Sequence, residues 1–176
     1  MNKLIILMLL LQSLIIGNHQ TQPLPELNQE LALKLRAEGL ERLSTFIEGG
    51  RACDQVQRDT PAKEGGYYYF CSDLATYEKM YSYLEEIFTH DIAKKLIESS
   101  AVVINDRLSY QRVGWGSVND WSRATGMIVS RDEQTITYKF IMPEYGDDAP
   151  PSEIQVEYKY ATNKGWRINS PARSLR

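Results

Sequence analysis

Residues 67–97 read YYYFCSDLATYEKMYSYLEEIFTHDIAKKLI, and this stretch decides most of what the sequence predicts about the fold. The aromatic residues at its start indicate an extended strand, because aromatic side chains are enriched in strands. Ser72 or Asp73 then suits the N-cap of an amphipathic helix, and Thr89 suits the N-cap of a second, shorter helix. His90 is expected to be an exposed first-turn residue, since no second His or Cys stands at a metal-ligand spacing.

The flanking segments extend this pattern into a fold class. Residues 26–47 are predicted to form a core helix, because leucines recur at helical spacing and two glycines follow as a stop signal. From residue 101 onward the period changes to two, which is typical of strands. The strand candidates are residues 102–104, 108–113, 127–130, 135–142, 154–161 and 166–168, and the fourth places Ile136, Tyr138, Phe140 and Met142 on one face. Helices followed by strands predict a single α+β domain at 26–176, with a helical part at 26–100 and an antiparallel β part at 101–170.

The amino-terminal segment has the features of a secretory signal peptide. Lys3 is the only charge before an interrupted apolar run at residues 4–16, and the small residue Gly17 follows. Residues 1–17 are therefore predicted to be a signal peptide and residues 18–25 a flexible leader. An uncleaved amino-terminal anchor is the alternative, although the run is short for a membrane span. We expect an exported protein with no membrane span after signal cleavage.

Cys53 and Cys71 are the only cysteines of the chain, and both lie in the exported portion. Two cysteines in an oxidising compartment usually pair, so the sequence predicts a disulfide between them. A catalytic cysteine would need a nearby base, and only His19 and His90 are available. The net charge of −3 argues against a nucleic-acid partner, which requires a basic stripe.

The sequence contains no legible catalytic, cofactor or metal motif. Ser-His-Asp and Cys-His arrangements, Walker loops and nucleophile elbows are missing from it. The glycines at 114 and 116 lack the third glycine and the following helix of a dinucleotide site. The acidic run at 144–148 lacks the ligand spacing of a calcium loop. We therefore expect a non-enzyme with no catalytic residues, no cofactor and no metal.

Two loops carry the candidate partner-binding residues. In the first, Gly114 and Gly116 flank Trp115 and allow tight backbone geometry while presenting an indole, and Asp120 closes the loop. Such a loop can plug a cleft in a partner. The alternative is a hairpin turn in which Trp115 and Trp121 fold back into the core.

The second loop concentrates acidic side chains before two prolines. Its candidate residues are Glu144, Tyr145, Asp147 and Asp148. A charge run of this kind is either a solvated hairpin tip or an acidic face that docks a basic site on a partner.

Residues 67–129 resemble the IseA family of secreted bacterial proteins that inhibit cell-wall DL-endopeptidases. The opening of that family, an aromatic pair followed by Cys or Gly and then by Ser-Asp-Leu, looks like residues 68–74 here, and its Thr-capped helix looks like Phe88-Thr89. A glycine-containing loop, a serine and a tryptophan follow in both; here they look like residues 114–117 and Trp121. The final strands match in general character.

The resemblance implies a two-lobed fold, with a helical part, a β part and a cleft between them. It also implies a protein of the cell wall that inhibits without catalysis. Its partners would be NlpC/P60 catalytic domains, cysteine peptidases that cut between D-glutamate and diaminopimelate in peptidoglycan stems. Because that substrate is rich in carboxylates, an acidic loop would mimic it, and occupation of the catalytic cleft would restrain autolysis.

An NTF2-like (cystatin-like) cone is the main alternative for the fold and the function. Long helices would then cover a curved sheet, and the protein would be a secreted small-ligand-binding module. Trp115, Trp121 and the tyrosines would line its apolar pocket. A structural envelope protein with no discrete site is a third possibility. An inhibitor keeps Trp115 and the acidic loop exposed, whereas a pocket protein turns its tryptophans inward.

Overall fold

The computed structural model of the protein describes residues 24–114, 119–143 and 150–176. The expected signal peptide, residues 1–17, lies outside the described residues, as does most of the expected leader. The helices are α1 (Gln29–Ile47), α2 (Gln55–Asp59), α3 (Tyr77–Leu84) and α4 (His90–Ser100). The strands are β1 (Pro61–Lys63), β2 (Tyr67–Tyr69), β3 (Ala101–Ile104), β4 (Arg107–Gln111), β5 (Thr125–Arg131), β6 (Thr135–Met142), β7 (Ser152–Ala161) and β8 (Gly165–Ile168). Short 3-10 helices occupy Trp121–Arg123 and Ala172–Leu175.

The predicted α+β class is confirmed, and the strands form two antiparallel sheets. The first sheet has the order β1-β2-β4-β3 and the second has the order β5-β6-β7-β8. The structure differs from the expected division at residue 100, because β1 and β2 precede α3 and α4. The tyrosine-rich β2 pairs with β4, with Tyr68 opposite Tyr110. The first sheet therefore combines segments from both sides of the two helices.

Helix α1 begins and ends where local chemistry requires. The Asn28 side chain accepts a 2.9 Å hydrogen bond from the Leu31 amide and so caps the first turn. At the other end Gly49 adopts a φ of 86°, and its amide bonds the Phe46 carbonyl. A Cβ at Gly49 would lie 2.1 Å from the Tyr110 ring, so glycine is required there by space as well as by conformation. The glycine that ends the helix thus also packs against Tyr110 of the first sheet.

The inner face of the second sheet packs directly on α1. The four side chains predicted to share one face of β6 are all buried. Two buried hydroxyls reach across to helix-side carbonyls: Tyr138 donates to Leu27 at 2.8 Å and Tyr158 donates to Ala32 at 2.7 Å. Because buried hydroxyls need partners, these bonds fix the helix against the sheet as well as satisfying the tyrosines.

Strand β8 connects the second sheet to α3 and α4. The Ile168 amide donates to the Ile87 carbonyl at 2.9 Å, and the Ile168 carbonyl accepts from the Thr89 amide at 3.0 Å. The side chain of the same residue lies against α1, where a Cβ added at Gly39 would lie 2.4 Å from Ile168 Cδ1. Gly39, which weakens a helix on propensity alone, is therefore the position that lets α1 approach the sheet closely.

The predicted N-cap of α3 at Ser72 or Asp73 is wrong, because the observed N-cap lies three or four residues later. Thr76 is the N-cap, and its hydroxyl accepts a hydrogen bond from the Lys79 amide. The Asp73 carboxylate instead accepts bonds from the Arg51 and Ala52 amides, at 2.8 and 3.1 Å. It therefore fastens the loop that follows α1. The prediction of Thr89 as the N-cap residue of α4 is confirmed, although its hydroxyl donates to Asn169 rather than capping the helix.

A disulfide joins Cys53 to Cys71, as the sequence predicts. The two Cα atoms lie 4.9 Å apart, and the bond closes a loop that contains α2, β1 and β2. The Cys71 amide also donates to the Gly49 carbonyl at 2.8 Å. The end of α1 and the end of β2 are thus held together by covalent and hydrogen bonds.

Strand β5 is an edge strand with an irregularity near its end. It pairs with β6 on one side only, and the register shifts between Ile128 and Ser130. Met127, Ile128 and Val129 are all exposed. The strand thus extends beyond the region that α1 covers.

Replacing both cysteines, Cys53→Ser with Cys71→Ser, should destabilise the protein while leaving the fold intact. Loss of a crosslink between residues 18 apart removes its restriction on the unfolded chain. We expect a fall in unfolding free energy of about 3 kcal/mol, measured by urea denaturation under non-reducing conditions. Equal stability of the two proteins, with the wild type shown to be oxidised by mass spectrometry, would contradict this expectation.

Gly39→Ala should destabilise the protein, although the same change in most helix interiors is stabilising by about 1 kcal/mol. The new methyl group meets Ile168 Cδ1, and overpacking of this kind costs about 1–3 kcal/mol. Thermal or urea unfolding measures the effect. Ile168→Val removes the opposing methyl group. The double variant should therefore be destabilised by less than the sum of the destabilisations of the two single variants. Stabilisation of the protein by Gly39→Ala alone would contradict this explanation of the helix–sheet contact.

Candidate functional site

The loop at 114–120 connects the first sheet to the second. Gly114 is exposed and follows the end of β4; Trp115 and Gly116 lie outside the described residues. The start of the loop is held by Arg112, whose amide donates to the Gly66 carbonyl at 3.0 Å. The Arg112 guanidinium lies 4.0 Å from the centre of the Tyr68 ring. The chain therefore leaves the first sheet from a fixed point.

Asp120 anchors the other end of this loop. Its carboxylate accepts hydrogen bonds from the Ser122 hydroxyl at 2.6 Å, from Arg123 Nε at 2.7 Å and from the Ser122 amide at 3.1 Å. These bonds, above all that from Ser122, hold the pKa of Asp120 below its ordinary value. Asp120 caps the 3-10 helix Trp121–Arg123 and is mostly enclosed by its own neighbours. Its role as a partner contact stays a prediction, and the structure adds a positioning role.

One hydrogen bond joins the described flanks of the two candidate loops. The Asp120 amide donates a 2.9 Å hydrogen bond to the carbonyl of Pro143, the residue that follows β6. Pro143 directly precedes the acidic loop, whose candidate residues Glu144, Tyr145, Asp147 and Asp148 lie outside the described residues. One end of the first loop therefore adjoins one end of the second.

Trp121 rests on a buried arginine that the sequence analysis did not identify. The Arg36 side chain projects from α1, and its guanidinium carbon lies 3.5 Å from the centre of the Trp121 ring. Trp121 also packs edge-on against Phe140, with ring centres 5.7 Å apart. Arg36 Nη2 donates to the Leu175 carbonyl. Burial lowers the pKa of Arg36 to about 10, so the side chain stays charged at neutral pH.

The signal for Arg36 is present in the sequence but is easily missed. The arginines of an amphipathic helix usually lie on its solvated face, so the residue type alone does not indicate burial. Helical spacing nevertheless puts residue 36 on the face of Ala32, Gly39 and Leu43, all of which are buried. Arg36 is 5% exposed, so this charge belongs to the core face.

The remaining described tryptophan fills the core rather than a ligand pocket. Trp166 is buried, and its Nε1 donates to the Pro25 carbonyl at 3.0 Å. The inner sheet face that an NTF2-like cone would open to a ligand is occupied by α1, through the tyrosine bonds described above.

A separate cleft of about 370 Å³ lies between the start of α4 and the β7–β8 hairpin. Glu85 in this cleft lies 2.7 Å from His90 Nδ1 and 3.1 Å from Lys164 Nζ. The hydrogen bond with His90 and the ion pair with Lys164 keep the pKa of Glu85 below its ordinary value. The predicted exposure of His90 is confirmed. The cleft is lined by Glu85, Phe88, Thr89, His90, Asp91, Lys159, Tyr160, Ala161, Thr162, Lys164, Arg167 and Asn169.

Within residues 24–114, 119–143 and 150–176, no group of three or more His, Cys, Asp or Glu side chains is arranged to hold a metal ion. Helices long and apolar enough to cross a membrane are also not found in this part of the chain. Both cysteines are in the disulfide, so neither supplies a free thiol.

Comparison with known proteins places the chain in a family. The family model described as IseA DL-endopeptidase inhibitor matches residues 23–172. A curated relative, an uncharacterized protein YoeB of Bacillus subtilis strain 168, is 31% identical over 104 residues. That match covers 58% of this chain and 56% of the relative, so the chain spans about half the length of the curated relative it matches.

The carboxyl group of Asp120 should titrate below the ordinary aspartate pKa of 3.8, as followed by carbon NMR of the side chain. Because the folded-state pKa is lowered, its stabilising contribution is complete above the unfolded pKa and is lost as the pH falls through the folded pKa. Ser122→Ala should raise the titration midpoint most, and Arg123→Ala should raise it less. Asp132, whose pKa is lowered by the Gln134 amide, serves as the control and should not respond. An unchanged Asp120 midpoint in both variants would refute this assignment.

Proposed function

Because the chain belongs to the IseA family of DL-endopeptidase inhibitors, we propose that it is a secreted, non-catalytic inhibitor of NlpC/P60-type DL-endopeptidases. In this role it restrains peptidoglycan hydrolysis in the cell wall. The observation that carries the proposal is the family match, which extends over residues 23–172. The geometry around the two loops supports a specific mode of inhibition.

The bond between the Asp120 amide and the Pro143 carbonyl supports joint action of the two loops. Blocking a cleft enzyme requires an anchor that enters the cleft and a charged rim that orients it. Trp115 is the proposed anchor. The proposed acidic rim consists of Glu144, Asp147 and Asp148, with Tyr145 as a further contact residue of the same loop. The frame of the anchor loop consists of Gly114, Gly116 and Asp120.

The two ends of the anchor loop are fixed, and this lowers the entropic cost of binding a peptidase. Ordering a loop on binding costs conformational entropy, and a loop whose ends are already fixed loses less of it. Arg112 holds the start of this loop, and the Asp120 cap with the Trp121–Arg36 stack holds its end. The scaffold thus supports the presentation of Trp115 to a partner.

Two further observations fit an exported, non-catalytic protein. The disulfide between Cys53 and Cys71 is of a kind that persists in oxidising compartments. It also removes both thiols of the chain from nucleophilic chemistry. In this proposal the protein inhibits by occupying the peptidase and not by chemical reaction with it.

Trp115→Ala should weaken inhibition of a purified NlpC/P60 catalytic domain more than any single acidic substitution does. The expected loss is about 2 kcal/mol or more of binding free energy, as for an aromatic residue at the centre of an interface. Asp147→Asn with Asp148→Asn should mainly slow association, and added salt should reduce the association rate of the wild type. The measurements are the inhibition constant and the association rate.

Matched controls come from the described surface. Tyr77→Ala removes an exposed aromatic side chain far from the loops in sequence, and Glu38→Gln with Glu98→Gln removes two exposed helix charges. Both controls should inhibit like the wild type. Undiminished peptidase activity at a large molar excess of the wild-type protein, across several such domains, would defeat the proposal.

A further inference from the structure

The cleft between α4 and the β7–β8 hairpin contains an arrangement of charges that the fold itself does not explain. Lys159 on β7 stands directly opposite Arg167 on β8 in the antiparallel ladder. Like charges at directly opposed positions destabilise a pair of strands. Both residues line the cleft, where Arg167 is half-buried and Lys159 is also exposed to solvent.

In the part of the chain that the structure describes, carboxylates act on these two cations only at longer range: Glu86 on Arg167 and Asp132 on Lys159. Lys159 forms no ion pair there, and the same holds for Arg167. Arg167 uses its Nε to bond the Glu85 carbonyl at 3.2 Å and its Nη1 to bond the Trp166 carbonyl at 2.9 Å. These two bonds fix the guanidinium and leave Nη2 available for an acceptor in the cleft.

The other charged groups of the cleft are arranged around this pair. Glu85 is engaged by His90 and Lys164, so one of the two carboxylates is already paired. Asp91 is the second carboxylate, and it lies in the exposed first turn of α4. Burial lowers the pKa of Arg167, because its charge is poorly solvated where it lines the cleft. An anion placed between Lys159 and Arg167 would relieve both the repulsion and the poor solvation.

The size and the walls of the cleft restrict the kind of anion. Its volume of about 370 Å³ is at the lower end of the range for ligand pockets, which suits a group of one or two amino acids. Phe88, Tyr160 and Ala161 supply apolar surface beside the cations. Apolar surface next to a fixed guanidinium suits a carboxylate on an organic body better than a small inorganic ion.

We propose that this cleft is a binding site for a carboxylate of a short acidic peptide, held by Lys159 and Arg167. The stem peptide of peptidoglycan, with its D-glutamate and diaminopimelate carboxylates, is the ligand of this class at the protein's place of action. That choice of ligand rests on the proposed function, whereas the carboxylate site itself does not.

The location of the cleft allows simultaneous use of both sites. Strand β7 runs from Ser152, near the acidic loop, to Ala161, beside the cleft, and ten residues of strand span about 30 Å. The cleft therefore lies at the opposite end of this strand from Ser152, which follows the acidic loop in sequence. A protein bound to stem peptide through the cleft keeps its loops free for a peptidase that works on the same wall.

The test measures binding of a synthetic dipeptide of D-glutamate and diaminopimelate to the purified protein by calorimetry and NMR, with no peptidase present. The wild type should bind it, and the same dipeptide with amidated carboxylates should not bind. Lys159→Gln should weaken binding about tenfold, as expected for one charge-assisted hydrogen bond. Lys34→Gln, which removes an exposed lysine from α1, is the control and should bind like the wild type.

Glu85→Gln provides a variant whose expected result cannot come from misfolding. It frees Lys164 and His90 from their carboxylate partner and should strengthen binding of the dipeptide. No binding by the wild type, or equal binding by Lys159→Gln, would overturn the site. Tighter binding of an all-L glutamate peptide than of the dipeptide would overturn the assignment to the stem. Inhibition of a peptidase should be unchanged in Lys159→Gln, so failure of this inference and failure of the inhibitor proposal give different results.

Discussion

The junction at Ile168 is the constraint on which the arrangement of the helices and the second sheet depends. Its amide and carbonyl bond the backbone of Ile87 and Thr89, so the end of β8 continues into the segment between α3 and α4. Its side chain fills the space that Gly39 leaves on α1. One residue thus sets the distance of α1 from the sheet and the position at which α4 begins. Because the cleft is formed by the start of α4 and by the β7–β8 hairpin, the same backbone bonds determine its width.

Arg36, which lies one helical turn before Gly39 on α1, has a comparable role beside the same junction. Removing a guanidinium from water costs several kcal/mol unless other groups compensate it. Here a carbonyl and an indole ring, both in 3-10 helices that flank the sheet, compensate part of this cost, whereas Arg36 Nε has no hydrogen-bond partner among the described residues. The charge therefore couples α1 to Trp121–Arg123 and to Ala172–Leu175. A methionine of similar length would fill the same space but would not bond the Leu175 carbonyl or attract the ring.

The sequence predicts the individual helices and strands of this fold better than it predicts which segments they pair with. Alternation in Thr135–Met142 and helical spacing before Gly49 indicate a strand and a helix that are both present, because each pattern reports burial of one face. The pairing of β2 with β4 has no such local signal, since it joins segments separated by two helices. Asp73 has the side chain of a good N-cap, but it bonds the amides of Arg51 and Ala52, which are distant in sequence. The cleft is formed by residues from two separate segments, so neither segment alone shows a site.

The exposed edge of β5 has a consequence for the behaviour of the protein at high concentration. An edge strand with consecutive apolar residues is a template on which a second molecule can add a strand, and this is a common start of aggregation. The register shift between Ile128 and Ser130 interrupts the regular spacing of hydrogen-bonding groups along the free edge. Arg131 places a charged side chain on this edge strand, which disfavours the addition of a further strand. The bulge and the arginine thus oppose strand addition at an edge where three exposed apolar residues would otherwise favour it.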